Sequence, residues 1–221
     1  TTGVYATLDL PPDFVAKQLD CVFTDIRPDA VKIGMVSNAR IIDAVADRLS
    51  LYRVENIVLD PVMVSTSGSR LLSADAQRGL AERLVPLCRV VTPNIPEAEA
   101  LSGLSIHSRA GMLRAAQALH ARFGTAVLVK GGHLPDCADD LLYENGAETW
   151  FCAERINNPN THGTGCTLSS AVACGLAAGM ELRDSVRAAK EYLAGALRAG
   201  LDLGRGAGPL NHMYGMNSDA Q

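Results

Sequence analysis

The sequence predicts an α/β fold, a mostly parallel sheet covered by helices. Two observations carry that expectation. Short runs rich in Val, Ile and Leu alternate with segments whose apolar residues recur at helical spacing, the pattern of strands buried on both faces between helices. The runs also stop on Gly, Asp, Asn or Lys, and ligands of open α/β sheets bind beyond the carboxyl ends of the strands. With 221 residues, 48% hydrophobic and 20% charged, the chain can bury a substantial core, and no linker or repeat divides it, so residues 1–221 are expected to form one domain.

The elements follow in order. After Thr1-Thr2-Gly3 the run Val4-Tyr5-Ala6-Thr7-Leu8 is strand-like, as though the chain entered a fold midway. Pro11-Pro12-Asp13 then introduces Val15, Leu19, Val22 and Ile26 at helical spacing. Asp29 to Gly34 is a short strand, and Ile42, Val45 and Leu49 mark a helix. Asn56 to Asp60 is the next strand, followed by Pro61 and the loop Ser65 to Ser69. Ser73 caps a helix carrying Leu80 and Leu84, and Arg89 to Thr92 is a strand. Pro93 to Glu97 opens a short helix; Ser108 caps a longer one with Met112, Ala116, Leu119 and Phe123 inward. Ala126 to Lys130 is a strand stopped by Gly131-Gly132. Asn145-Gly146 separates two short runs, a hairpin signal expected at a sheet edge. A helix crowded with small residues runs from about 165 to 178, and Leu182, Val186, Ala189, Leu193 and Leu197 mark a last amphipathic helix.

The chemistry centres on Asn157 to Cys166, a loop that closes with Gly163-Thr164-Gly165 and launches a helix. The glycines allow a tight turn and close approach of a ligand. A helix start offers unpartnered N–H groups and partial positive charge, so this turn suits a phosphate. Cys166 sits at the same end, where the thiolate form is favoured and accessible. The same residues also fit a plain glycine-rich helix start and a small buried thiol.

A parallel sheet would set the strand ends Gly34-Met35, Asp60-Pro61-Val62, Asn94 with Glu97, and Lys130 on one rim with that turn. Asp60 and Glu97 can organise Mg²⁺, directly or through water, and Lys130 can neutralise phosphate oxygens. Cys166 can accept the proton of an attacking hydroxyl, and positioning with charge neutralisation is most of what phosphoryl transfer asks of a protein. Each residue also has a structural alternative: Asp60 a turn cap, Asn94 and Glu97 helix-start caps, Lys130 a solvated strand end, His162 a loop histidine. No GxxxxGK[ST] is present, which excludes a P-loop enzyme.

A net charge of −4 with scattered Lys and Arg gives no nucleic-acid footprint. The six cysteines (Cys21, Cys88, Cys137, Cys152, Cys166 and Cys174) form no CxxC pair and fit reduced thiols of a cytoplasmic protein. No apolar run approaches membrane-spanning length, so no membrane partner is expected.

Thr161-His162-Gly163-Thr164-Gly165-Cys166-Thr167-Leu168-Ser169 closely resembles the signature of hydroxymethylpyrimidine/phosphomethylpyrimidine kinases, the thiamine-pathway branch of the ribokinase-like superfamily. Lys32 to Met35, Leu59 to Met63, Thr92 to Glu97, Val129 to His133 and the closing Gly206 to His212 resemble its other blocks, in order, leaving only the last nine residues unlike it. The resemblance implies a three-layer α/β/α sandwich and MgATP-dependent phosphorylation of 4-amino-5-hydroxymethyl-2-methylpyrimidine and of its monophosphate, in a homodimer. It implies Cys166 as the base and the Gly163, Thr164, Gly165 and Cys166 amides as the anion hole. It places Asp60 and Glu97 on Mg²⁺, Lys130 and Asn94 at the nucleotide phosphates, Thr164 and Lys190 on the nucleotide side, and Gly34, Met35 and Val62 around the pyrimidine. The family normally begins some tens of residues earlier, with a strand, a glycine-rich loop and a glutamine that reads the pyrimidine; that segment precedes Thr1, and the expectation is a piece of a longer protein. The competing expectations are a pyridoxal kinase of the same superfamily and a truncated, catalytically silent relative.

Overall fold

The computed structural model describes residues 1–63, 72–132 and 138–216. Six strands form one sheet whose spatial order follows the sequence. Four are parallel: β1 (Val31–Ile33), β2 (Ile57–Leu59), β3 (Val90–Val91) and β4 (Ala126–Val129). The antiparallel pair β5 (Asp140–Glu144) and β6 (Ala147–Phe151) completes the sheet, with β6 at its edge as the hairpin signal predicts. Asn145 and Gly146 both take positive φ, 51° and 81°, as a two-residue turn between twisted strands requires.

Strands laid down in sequential order, with crossovers of one hand, return their helices over one face. That layer holds α1 (Pro12–Asp25), α2 (Ala39–Leu51), α3 (Ala74–Gly79), α4 (Ile95–Ser102) and α5 (Arg109–Phe123). The opposite face is left for α6 (Thr164–Ala177) and α7 (Leu182–Ala199). The pleat sorts the core accordingly. Ile57, Leu59, Val91, Val127 and Val129 pack with Ile42, Leu84, Met112 and Leu119; Val58, Val90, Ala126 and Leu128 pack with Leu168, Val172, Leu182 and Val186. The result is a three-layer α/β/α sandwich with a mostly parallel sheet.

Three expectations change. Residues 4–8 form no strand: Val4, Tyr5 and Leu8 are 68%, 87% and 91% exposed, and no described strand lies beside them to take their backbone hydrogen bonds. Along α1 the buried stripe is Ala16 and Phe23, with Val15 and Leu19 half-buried, while Val22 and Ile26 face outward. Phe23 decides this, because its ring stacks on Tyr52 with centroids 4.9 Å apart. After Gly79 the helix capped by Ser73 widens into a π turn over Leu80–Leu84 and tightens at Val85–Leu87, where Pro86 cannot continue the α pattern. The loop Ser65 to Ser69, His133 and Cys137 lie outside the described residues.

Candidate active site

The parallel register aligns the strand ends step by step. Asp60 N–H donates to the Ile33 carbonyl at 2.9 Å, Thr92 N–H to Leu59 at 2.9 Å and Lys130 N–H to Pro93 at 2.8 Å. Asn94 and Lys130 extend the pairing of β3 and β4 by one bridge. Gly34 and Met35 therefore sit beside Asp60 and Val62, and Asn94 beside Lys130. Asp60 is only 2% exposed, and its Oδ1 accepts from Lys130 Nζ at 2.7 Å and from Thr92 Oγ1 at 3.4 Å. A buried carboxylate needs such a partner.

The start of α6 closes on this pair. A Cβ placed on Gly165 would lie 3.2 Å from Lys130 Nζ and 3.3 Å from Asp60 Oδ2, closer than side chains ordinarily pack, so glycine lets the helix come this near without displacing the pair. Helices α2, α3, α4 and α5 each have a side chain over their first amides: Asn38, Ser73, Asn94 and Ser108. Helix α6 has Gly163 there instead, at φ 83° and with no side chain to cap. Thr164 N–H reaches Thr161 O and Thr167 N–H reaches Gly163 O, while the Gly165 and Cys166 amides take no acceptor among the described residues. Two open N–H groups, a helix dipole and an adjacent ammonium fit an anionic phosphate chain.

The loop leading into α6 is held from behind. Asn158 donates to the Leu197 carbonyl at 2.7 Å, Asn160 donates to Leu201 at 3.1 Å and accepts from Gly208 N–H at 3.0 Å. His162 contributes a backbone bridge to Pro209, in keeping with a structural part. The closing segment 206–212 thus fixes the cradle.

Asn94 and Glu97 form a reciprocal capping box: Glu97 N–H donates to Asn94 Oδ1 at 2.9 Å, and Asn94 N–H to Glu97 Oε2 at 2.8 Å. The capping alternative is therefore real, yet the box stands on the rim itself. Burial pushes the Glu97 carboxyl above its ordinary range; Lys130 and the Asn94 and Met63 amides pull the other way, while Asp60 adds to the rise. Among the described residues no three His, Cys, Asp or Glu side chains gather around a point. A cation that keeps water and phosphate oxygens in its shell, as Mg²⁺ does, needs few protein carboxylates, and Asp60 and Glu97 are two acids at the rim that could serve one.

Cys166 is exposed, at the mouth of a groove of about 720 Å³ between α6 and α7, with Ser170, Cys174, Met180, Tyr192 and His212 along it. On the other side of Asp60, Met35 is 49% exposed and offers an apolar surface suited to a flat ring, with Gly34 and Val62 half-buried next to it. Lys190 is paired with Asp140, as Lys130 is with Asp60. Asp140, which also accepts from Gly131 N–H at 2.9 Å, was not foreseen. The available signal was an acid directly before the apolar run 141–143, and a lysine between the inward positions Val186, Ala189 and Leu193.

The family model for phosphomethylpyrimidine kinase matches residues 1–211. Hydroxymethylpyrimidine/phosphomethylpyrimidine kinase of Escherichia coli is 45% identical over 219 residues, 97% of this chain and 82% of that protein. The thiamine biosynthesis bifunctional protein ThiED of Geobacter sulfurreducens is 47% identical over 214 residues, and the match spans 96% of this chain but only 44% of that longer protein. Among solved structures, phosphomethylpyrimidine kinase of Clostridium difficile superposes with a TM-score of 0.78 at 40% identity, covering 87% of this chain and 79% of its own. An ADP complex of Bacillus subtilis pyridoxal kinase gives 0.86 at 33% identity, covering 95% and 79%.

Proposed function

Because the chain belongs to the phosphomethylpyrimidine kinase family, we propose that it phosphorylates 4-amino-5-hydroxymethyl-2-methylpyrimidine and then its monophosphate, yielding the diphosphate used in thiamine diphosphate biosynthesis. The observation that carries this reading is the Asp60–Lys130 pair packed against the uncapped start of α6, beside an exposed thiol.

In this reading Asp60 and Glu97 hold Mg²⁺, and Lys130, Asn94, the Thr164 hydroxyl and the Gly163, Gly165 and Cys166 amides hold the phosphates of ATP; the Thr164 N–H, already donated to Thr161 O, drops out of the expected anion hole. MgATP, when bound, supplies the phosphoryl group and the cation that offsets its charge. Gly34, Met35 and Val62 seat the pyrimidine so that its hydroxymethyl oxygen faces the cradle. Cys166 Sγ would take the proton of that oxygen as its bond to the γ-phosphorus forms and the bond from that phosphorus to the departing ADP breaks. The open amides then meet the charge that spreads over the transferring oxygens. We read the protein as a single domain that assembles as a cytoplasmic homodimer acting on small molecules. Outward Phe14 and Val22 on α1, 53% and 49% exposed, suit a second copy, and the five described cysteines carry free thiols.

The overlay with pyridoxal kinases favours pyridoxal as the rival substrate. Initial rates with MgATP and each of hydroxymethylpyrimidine, its monophosphate and pyridoxal separate the two; a higher kcat/KM for pyridoxal overturns the proposal. Cys166→Ala is expected to lower kcat by roughly 10²- to 10⁴-fold while leaving nucleotide affinity near the parent value. Unaltered turnover would remove the thiol from the chemistry.

A further inference from the structure

A second, largely buried ion pair lies next to the end of β4. Lys190 of α7 meets Asp140 Oδ2, the first residue of β5, with the two side chains 15% and 10% exposed. The other oxygen, Asp140 Oδ1, accepts from Gly131 N–H at 2.9 Å. Val129 and Leu141 are the last paired residues of β4 and β5, so Gly131 lies beyond the ladder. Its buried N–H is met by a carboxylate where a neighbouring strand would have supplied a carbonyl. The fit is tight: a Cβ on Gly131 would overlap the Asp139 carbonyl oxygen. One residue earlier, Lys130 N–H is held by Pro93 O. The Lys130–Gly131 backbone is therefore gripped from both neighbouring strands.

We propose that Asp140 and Lys190 are positioning residues for the phosphoryl transfer inferred above, and this rests on that reading. Lys130 has a long flexible side chain, so the place its ammonium reaches depends on where its backbone is fixed. The Asp140 carboxylate fixes it through the Gly131 amide, a charge-assisted bond stronger than a neutral one. Lys190 balances the buried charge and orients the carboxylate, since an unpaired carboxylate at that depth would be strongly destabilising. In this proposal the ammonium of Lys190 acts on the nucleotide through Asp140, Gly131 and Lys130. Displacements of about 1 Å in a positioned group are enough to cost on the order of 10²-fold in rate.

Two double variants test this, because neither leaves a lone buried charge. D140N/K190M keeps an oxygen for Gly131, whereas D140L/K190M keeps none. We expect D140L/K190M to show a KM for MgATP at least about tenfold above that of D140N/K190M, with the KM for hydroxymethylpyrimidine alike in both. Equal MgATP constants in two folded variants overturn the proposal. So does a wild-type-like constant in D140L/K190M, or a MgATP-saturable defect that tracks loss of Lys190 alone in K190M and K190R equally. Amide hydrogen exchange at Gly131 in the unmodified protein needs no variant: slow exchange supports the anchor, and exchange at the rate of a free amide overturns it. A parent protein that phosphorylates none of the three substrates, yet protects Gly131, sinks the kinase reading and with it the purpose given to the anchor.

Discussion

Gly165 holds its position through what it lacks. A Cβ there would press on Lys130 Nζ and Asp60 Oδ2, at 3.2 and 3.3 Å, and shift the pair that the phosphate chain is proposed to meet. Alanine is a better helix former than glycine by up to about 1 kcal/mol. With that gain set against crowding of the pair, Gly165→Ala should stay within about 1 kcal/mol of the parent in stability, yet its KM for MgATP should rise by about tenfold or more. Steady-state kinetics beside a melting curve check the split, and an unchanged KM would separate α6 from the nucleotide. Glu97 gives a pH test. Its folded carboxyl holds a proton more tightly than the unfolded one, so between the ordinary and the raised value the folded state stays protonated while the unfolded state ionises. Stability falls as pH rises through that window, and the loss is complete above it. Glu97→Gln keeps an oxygen for the Asn94 amide and removes the penalty. It should melt at or above the parent temperature at pH 8, with the gap closing at pH 4, while turnover with MgATP drops. Melting curves across pH decide; a gap that widens toward acid refutes the assigned sign. Asp60, Asn94, Lys130 and Gly165 were legible in the sequence because each ends a strand or begins a helix. Asp140 was not, since nothing local reveals that its acceptor role is for Gly131 and its counter-charge is 50 residues away.

Among the elements, the caps divide into those that hold helices and one that also faces the site. Ser108→Ala should cost about 0.5–2 kcal/mol through loss of the bond to Gly111 N–H, without changing the MgATP constant. Asn94→Ala should cost about as much and also raise that constant, because Glu97 loses the box that aims it. Melting temperatures and KM measured on both variants test the contrast; equal kinetic behaviour would confine Asn94 to capping. The sequence left capping and ligand binding as alternatives; the fold shows the capping and puts the box on the rim, where the proposed ligand role does not exclude it. Capping is decided over four residues, whereas membership of the rim depends on sheet register. The same limit explains α1: its spacing marked a helix, but which stripe turns inward depends on Tyr52, which belongs to the next helix's end. Strand-like residues 4–8 show the converse, for β propensity without a neighbouring strand creates no ladder.

For the molecule as a whole, the candidate site ties together positions near 60, 94–97, 130 and 163–166, drawn from both helical layers and the sheet between them. A ligand that bridges them binds only the folded state. MgADP at about a hundredfold excess over its Kd should add about 2.7 kcal/mol, a rise of about 5–10 °C in Tm for a chain of this size. Thermal melting with and without MgADP measures it, and no shift would mean the segments do not share a nucleotide.

The late place of α6 in the chain has a consequence for biosynthesis. Everything up to the edge hairpin can emerge from the ribosome and begin to collapse while the glycine turn is still in the exit tunnel. No nascent chain short of that helix and of the residues up to Pro209 that hold its loop has a fixed cradle to fill, so nucleotide capture on the translating ribosome would mark the arrival of these late elements.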